Sequence, residues 1–272
     1  MEIILYAAII VFAYFLSGFL LAQRLRDNSI ADIMWGMGFV ILALFLASYA
    51  AFFETITLSA LAVSAFIVIW GVRLSLSIFK RNFKKGEDYR YQEMRKKWGD
   101  RFPRLKAFLK VFMTQGVFML VVAMPLILLY AYPAETERFI GENPLRIAGL
   151  IAGGIIWIIG FIFESVGDRQ LRNFLKNPEN KGKIMQNGLW RYTRHPNYFG
   201  EATMWWGLAI IAASNALWQG AFAFISPVVI TVLLLYVSGV PLLEKKMMKD
   251  EAFREYAQRT SKFFPLPPKK GQ

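Results

Sequence analysis

Long apolar runs alternate with polar links along this chain, and the runs set its architecture. Seven of them come near the ~20 residues that a helix needs to cross a bilayer. They cover 3–22, 32–52, 56–79, 108–130, 145–166, 198–213 and 217–240. This pattern predicts an all-α integral membrane protein of about seven transmembrane helices. The first run is longer than the core of a signal peptide and lacks a basic start, so it reads as a retained span. Glu54 and Asn215 mark tight turns, whereas the polar segments 80–107, 167–197 and 241–272 are long.

Charge orients the spans. Of the 32 Lys and Arg, 28 fall in 23–31, 80–107, 167–197 and 241–272. The opposite side carries Arg138, and Arg73, Lys110 and Arg146 lie within or beside spans. By the positive-inside rule the N-terminus faces out and the C-terminus is cytoplasmic. In a bacterium the protein would sit in the inner membrane. The net charge of +13 then reflects topology and implies no nucleic-acid partner. Cysteine is absent, which excludes disulfides and thiolate chemistry, and a single histidine leaves no metal-ligand set. No repeat divides the chain, so 1–272 reads as one membrane domain, with 1–107 and 108–272 as its two parts.

The densest chemistry lies in 188–207, which reads GLWRYTRHPNYFGEATMWWG and holds that histidine. Pro196 stops any helix from running through it, so its polar groups sit where a loop becomes a helix. Helix starts suit anionic ligands. Asp32 opens the second span. It reads either as a helix-start acid, with Gly36 and Gly38 permitting close packing, or as a carboxyl facing a cavity. Arg73 snorkels to the inner surface, pairs with Asp32 or meets a ligand. Glu164 and Asp168 flank the end of the fifth run. There Asp168, Leu171 and Arg172 have helical spacing, as a solvated helix start or as one wall of a cofactor cleft. Arg95 to Lys97 read as a surface for acidic lipid. Glu87, Asp88, Tyr89, Arg90 and Tyr91, beside Arg81 and Lys84, have the aromatic faces and arginine to hold a nucleotide.

The segment 188–207 resembles the C-terminal signature of the steroid 5-alpha-reductase family, most closely its DUF1295 branch. The stretches Asp32-Ile33-Met34-Trp35-Gly36, Glu87 to Tyr91, Asp168-Arg169-Gln170 and Phe263-Phe264-Pro265 are similar to that branch too. The resemblance implies an NADPH-dependent reduction of an activated carbon–carbon double bond in a steroid-like or isoprenoid lipid that enters from the bilayer. It makes 108–272 the cofactor-binding part and 1–107 the substrate side. Asn197 and Glu201 match nicotinamide contacts, and Asp168 and Arg172 match the start of the cofactor loop. Arg191 and Tyr192 match the phosphate and ribose side. Arg194 and His195 match a run lying against the cofactor, with Tyr198 beside it. Arg81, Glu87, Asp88, Arg90 and Tyr91 complete the expected cofactor set. Asp32 is the candidate proton donor, with Tyr91 or His195 as alternatives. The glutamate and tyrosine with which steroid reductases polarise a ketone do not align.

Two other classes stay open. Isoprenylcysteine carboxyl methyltransferases, which bind S-adenosylmethionine, share the Arg-His-Pro-x-Tyr-x-Gly run. Here Glu201 follows that run, and Glu244 is followed by Lys245 rather than a second glutamate. A non-enzymatic lipid-binding role is the third, and it leaves the polar cluster at membrane depth without a purpose.

Overall fold

The computed structural model describes residues 2–82, 86–99, 101–133, 143–215 and 219–269. Lys84, Arg138 and the first residues of the 217–240 run lie outside them. The described residues are helical apart from their links, and an isolated bridge between Thr193 and Ser261 is their extended pairing. Six stretches are long and apolar enough to span a membrane: Glu2–Leu25, Ile30–Phe52, Leu58–Asn82, Pro103–Val122, Pro144–Lys176 and Gln219–Met247. By length and composition this is a multi-pass membrane protein. The helix at Pro196–Asn215, expected as a span, is not among the six.

The chain divides into two compact units. Unit 1 comprises Met1–Ile147 and Ala212–Ala223. It contains α1 (Glu2–Leu25), α2 (Ile30–Phe52), α3 (Leu58–Asn82), α4 (Tyr89–Trp98), α5 (Pro103–Ala107), α6 (Thr114–Val122) and α7 (Met124–Ala131). The run 108–130, expected as one helix, begins in a π-helical turn at Phe108–Met113 and breaks at Ala123. Pro125 explains the break, because its ring and missing N–H interrupt the ladder one turn back. Helices α2 and α3 touch through backbone. A Cβ on Gly36 would lie 2.7 Å from the Gly71 carbonyl oxygen, and one on Gly71 would lie 2.6 Å from that of Gly36. Ser75 adds a hydrogen bond to the Ile33 carbonyl at 3.0 Å. The close packing read from Gly36 is therefore present. It fixes the start of α2, where Asp32 sits, against α3.

Unit 2 comprises Ala148–Ile211 and Phe224–Gln272. It holds most of α8 (Pro144–Lys176) and α9 (Pro196–Asn215), then α10 (Ile225–Val232), α11 (Val240–Met247) and α12 (Glu251–Arg259). Helix α8 is 33 residues long and carries on past its apolar run. Asp168 and Arg172 thus ride on the extension of a span rather than at a helix start. Glycines set seven apart hold α8 to α9. A Cβ on Gly153 would fall 2.4 Å from the Gly207 carbonyl oxygen, and one on Gly160 would fall 2.6 Å from that of Gly200. Gly167 continues the stripe against Pro196 and Asn197. Small residues let helices meet backbone to backbone, and this contact brings the polar end of α8 beside the polar start of α9.

Candidate functional site

In unit 2 the glycine stripe places Asp168 against Asn197. The Asn197 amide nitrogen donates to Asp168 Oδ1 at 3.1 Å. A carboxylate can only accept, so this bond fixes which end of the amide faces Asp168. Asn197 Oδ1 is left buried without a hydrogen-bond partner, and so is the Ser165 hydroxyl on α8. An unmade buried acceptor costs about 1–3 kcal/mol. Glu164 and Glu201 are buried on the same two helices. Arg172 and Arg191 are exposed on this unit, with no ion pair among the described residues. Such a set offers an acceptor and a hydroxyl to an amide-bearing ligand, with cations available for phosphates.

The loop before α9 is locked from the other side. Arg194 forks onto Glu244 through Nε at 2.8 Å and Nη2 at 3.1 Å. Its Nη1 donates to the carbonyls of Ala257 at 2.9 Å and Thr260 at 2.8 Å. His195 Nε2 meets Glu244 Oε1 at 2.9 Å, and its ring stacks on Tyr198 with centroids 5.4 Å apart. The Thr193 hydroxyl donates to the Phe263 carbonyl at 2.8 Å. The Tyr256 hydroxyl donates to the Trp190 carbonyl, and burial pushes its pKa up. The Leu266 N–H donates to the Tyr192 carbonyl at 3.0 Å, while the Tyr192 ring stays exposed. Arg194 and the Nε2 of His195 are therefore engaged by α11, α12 and the residue after it. Their partner Glu244 was missed in the sequence as a member of this cluster. It is the sole acid between Glu201 and Asp250, and that isolation was the available signal.

Unit 1 holds a second cluster. Arg90 donates from Nη2 to Asp32 Oδ2 at 2.5 Å, and Tyr91 from its hydroxyl to Asp32 Oδ1 at 2.6 Å. Arg90 Nε also reaches Asp88 Oδ1 at 2.9 Å. The same oxygen caps α4 by accepting from the Arg90 N–H at 2.9 Å. Burial opposes the charge on Asp88, yet the Arg90 bonds and the nearby Arg81 charge hold its carboxyl below the ordinary range. Burial likewise opposes the charge on Arg90, and the two carboxylates more than offset it. Tyr91 is pushed well above 10 by burial and by the Asp32 carboxylate. Glu87 accepts from the Asn28 N–H at 2.9 Å and from Arg95 at 2.6 Å, tying α4 to the start of α2. Of the acids and cations read as one nucleotide site, Glu87 and Asp88 thus serve α4, and Arg90 and Tyr91 meet Asp32. Among the described residues no group of three or more His, Cys, Asp or Glu is arranged to hold a metal.

A family model described as "Protein of unknown function (DUF1295)" matches residues 18–260. The "3-oxo-5-alpha-steroid 4-dehydrogenase 1" of Bos taurus is 38% identical over 73 residues, which is 27% of this chain and 28% of that protein. The protein of the same name in Homo sapiens is 38% identical over 69 residues, 25% of this chain and 26% of its own. The "Probable O-methyltransferase ustE" of Ustilaginoidea virens is 35% identical over 85 residues, 31% of this chain and 30% of that one. The chain thus matches between a quarter and a third of the length of these relatives. No solved structure matches the chain significantly.

Proposed function

Because the chain belongs to the DUF1295 family and shares a stretch with steroid dehydrogenases, we propose that it is a membrane-embedded, NADPH-dependent reductase. Its substrate is a steroid-like or isoprenoid lipid with an activated carbon–carbon double bond, entering from the bilayer. The observation that carries this reading is the buried, unpartnered Asn197 Oδ1, with its amide nitrogen held by Asp168. That oxygen accepts a carboxamide N–H, the group that distinguishes a nicotinamide. Glu201 lies one turn further along α9 and adds a second acceptor. Arg172 and Arg191 supply exposed guanidinium groups to phosphates. When bound, NADPH supplies the hydride, and the protein's part is orientation and proton supply.

For the proton we assign Tyr91, whose one hydroxyl hydrogen rests on Asp32 Oδ1 and turns from it to the substrate when it is donated. Both carboxylate oxygens of Asp32 already accept hydrogen bonds, which makes Asp32 the residue that orients the Tyr91 hydroxyl. His195 is engaged by Glu244 and positions the loop before α9. The 28 inward-assigned basic residues support seven spans, α9 being the one beyond the six, with the C-terminus cytoplasmic. A reporter after Gln272 should read cytoplasmic and one at Ala134 outside.

The similarity to an O-methyltransferase keeps a second reading in play, with S-adenosylmethionine as the ligand. One experiment decides between them. Thermal unfolding of the purified protein should shift upward with NADPH. Stabilisation by S-adenosylmethionine alone would replace the reductase reading.

A further inference from the structure

A cavity in unit 1 is unconnected with the reading above. It has a volume of about 230 Å³ and is lined by Ala22, Gln23, Arg26 and Asn28 at the α1–α2 turn. Arg95 and Trp98 of α4, with Pro103, Arg104 and Ala107 of α5, complete it. We propose that this cavity binds the phosphate of an anionic membrane lipid, holding its headgroup between Arg26 and Arg104.

Four observations converge on it. Three arginines line one small space. Arg95 is paired with Glu87, while Arg26 and Arg104 have no carboxylate partner among the described residues. The acid beside Arg26 is occupied, since Asp27 Oδ1 accepts from the N–H and hydroxyl of Ser29. The location is a membrane surface, because the cavity lies where the span Glu2–Leu25 ends and the span Pro103–Val122 begins. Apolar side chains flank it at the same level: Leu25 is 60% exposed, Phe102 63% and Leu105 52%. A soluble anion makes no use of them, whereas acyl chains cover them. The backbone is also held in an unfavourable form here. Arg26 has φ 56° and Phe102 has φ 55°, the left-handed region that side chains avoid. Such residues gather where a ligand position is built. Size selects the ligand further. A drug-sized molecule takes roughly 300 Å³ or more, so the volume of this cavity suits a phosphate-bearing headgroup better than a dinucleotide.

The test uses the full-length protein in mild detergent, titrated with short-chain phosphatidylglycerol or phosphatidylcholine and read by native mass spectrometry. One saturable phosphatidylglycerol adduct should form, with phosphatidylcholine far weaker. The double variant Arg26→Gln, Arg104→Gln should lose roughly thirtyfold in phosphatidylglycerol affinity, from about a fivefold contribution per arginine. The double variant Arg26→Lys, Arg104→Lys keeps the charge and should keep most of the affinity, which separates binding from folding. Equal binding of both lipids, or an unchanged affinity in the glutamine variant, would overturn the proposal. So would displacement of the lipid by inorganic phosphate or NADPH at similar concentration, which would assign the cavity to a soluble phosphate.

Discussion

The Arg194–His195–Glu244 cluster of unit 2 and the Asp32–Arg90–Tyr91 cluster of unit 1 are built from similar parts. Each joins a carboxylate, a guanidinium and a ring. Their surroundings differ. The Arg194 and Glu244 side chains are 6% and 8% exposed, whereas Arg90 and Asp32 are 33% and 17% exposed. In the first, all three guanidinium nitrogens of Arg194 and both oxygens of Glu244 meet protein, including the carbonyls of Ala257 and Thr260. In the second, solvent reaches the arginine, and the Tyr91 hydroxyl is joined to a single carboxylate oxygen. A saturated network fixes a backbone, while a half-open one has a proton and a charge to lend. Similar residue types therefore do different work according to burial.

The largest effect expected follows from that difference. Arg194→Met leaves Glu244 buried beside His195 without its main partner. Breaking a buried pair costs about 3–5 kcal/mol. Arg90→Met breaks a partly exposed pair, for which about 0–1 kcal/mol is usual. Thermal unfolding of both variants in one detergent should show a large loss for the first and little for the second. Equal losses would mean that the two clusters are energetically alike.

The second effect is on turnover. If the half-open cluster carries the proton, Tyr91→Phe should lower turnover of the lipid substrate by about a hundredfold or more. NADPH-dependent stabilisation should be retained, because the proposed cofactor groups lie on α8, on α9 and in the loop before α9. Mass spectrometry of the lipid before and after incubation supplies the turnover. Full activity in this variant would move the proton donor elsewhere. The third effect is on the cofactor alone. Asn197→Ala removes one neutral hydrogen bond, worth about 0.5–1.5 kcal/mol, so NADPH affinity should fall two- to tenfold at roughly unchanged turnover under saturation. Unchanged affinity would leave Asn197 Oδ1 without a ligand role.

How legible these clusters were in the sequence follows from what creates them. The spans come from local composition, so the apolar runs overlap all six membrane-long stretches, the 217–240 run meeting the sixth from Gln219 onward. The kink at Ala123 was readable from Pro125 but was not read. The loop-to-helix switch at Pro196 was readable for the same local reason. Glycines 153, 160 and 167, spaced by seven against Gly200 and Gly207, carried a packing signal that composition hides. Pairings over long separations were not legible. Arg194 with Glu244 is set by the packing of α11 and the tail, and no local spacing encodes it. Tyr91 with Asp32 depends on α4 folding back to the start of α2, held there by Glu87. Individual residues were therefore identified while their partners, and hence their work, were not.

The smallest effect concerns one buried tyrosine at each cluster, Tyr91 and Tyr256. The Tyr91 hydroxyl donates to a carboxylate, and the Tyr256 hydroxyl to the Trp190 carbonyl. Burial raises the pKa of both above 10, and Asp32 adds to the shift at Tyr91. A folded pKa above the unfolded one contributes stability that is complete below pH 10. It is lost as pH rises through the folded value, because the unfolded chain releases the proton first and gains from doing so. Thermal stability should therefore decline as pH is raised above 10, and part of the decline should vanish in Tyr91→Phe and another part in Tyr256→Phe. The Tyr91 share should be the larger, since a phenolate beside Asp32 is opposed by charge as well as by burial. The Arg90 charge works the other way by favouring the phenolate. If Tyr91→Phe leaves the alkaline decline unchanged while Tyr256→Phe reduces it, the Asp32–Tyr91 bond is open in the membrane. The unit 1 cluster would then be looser still than its exposure implies.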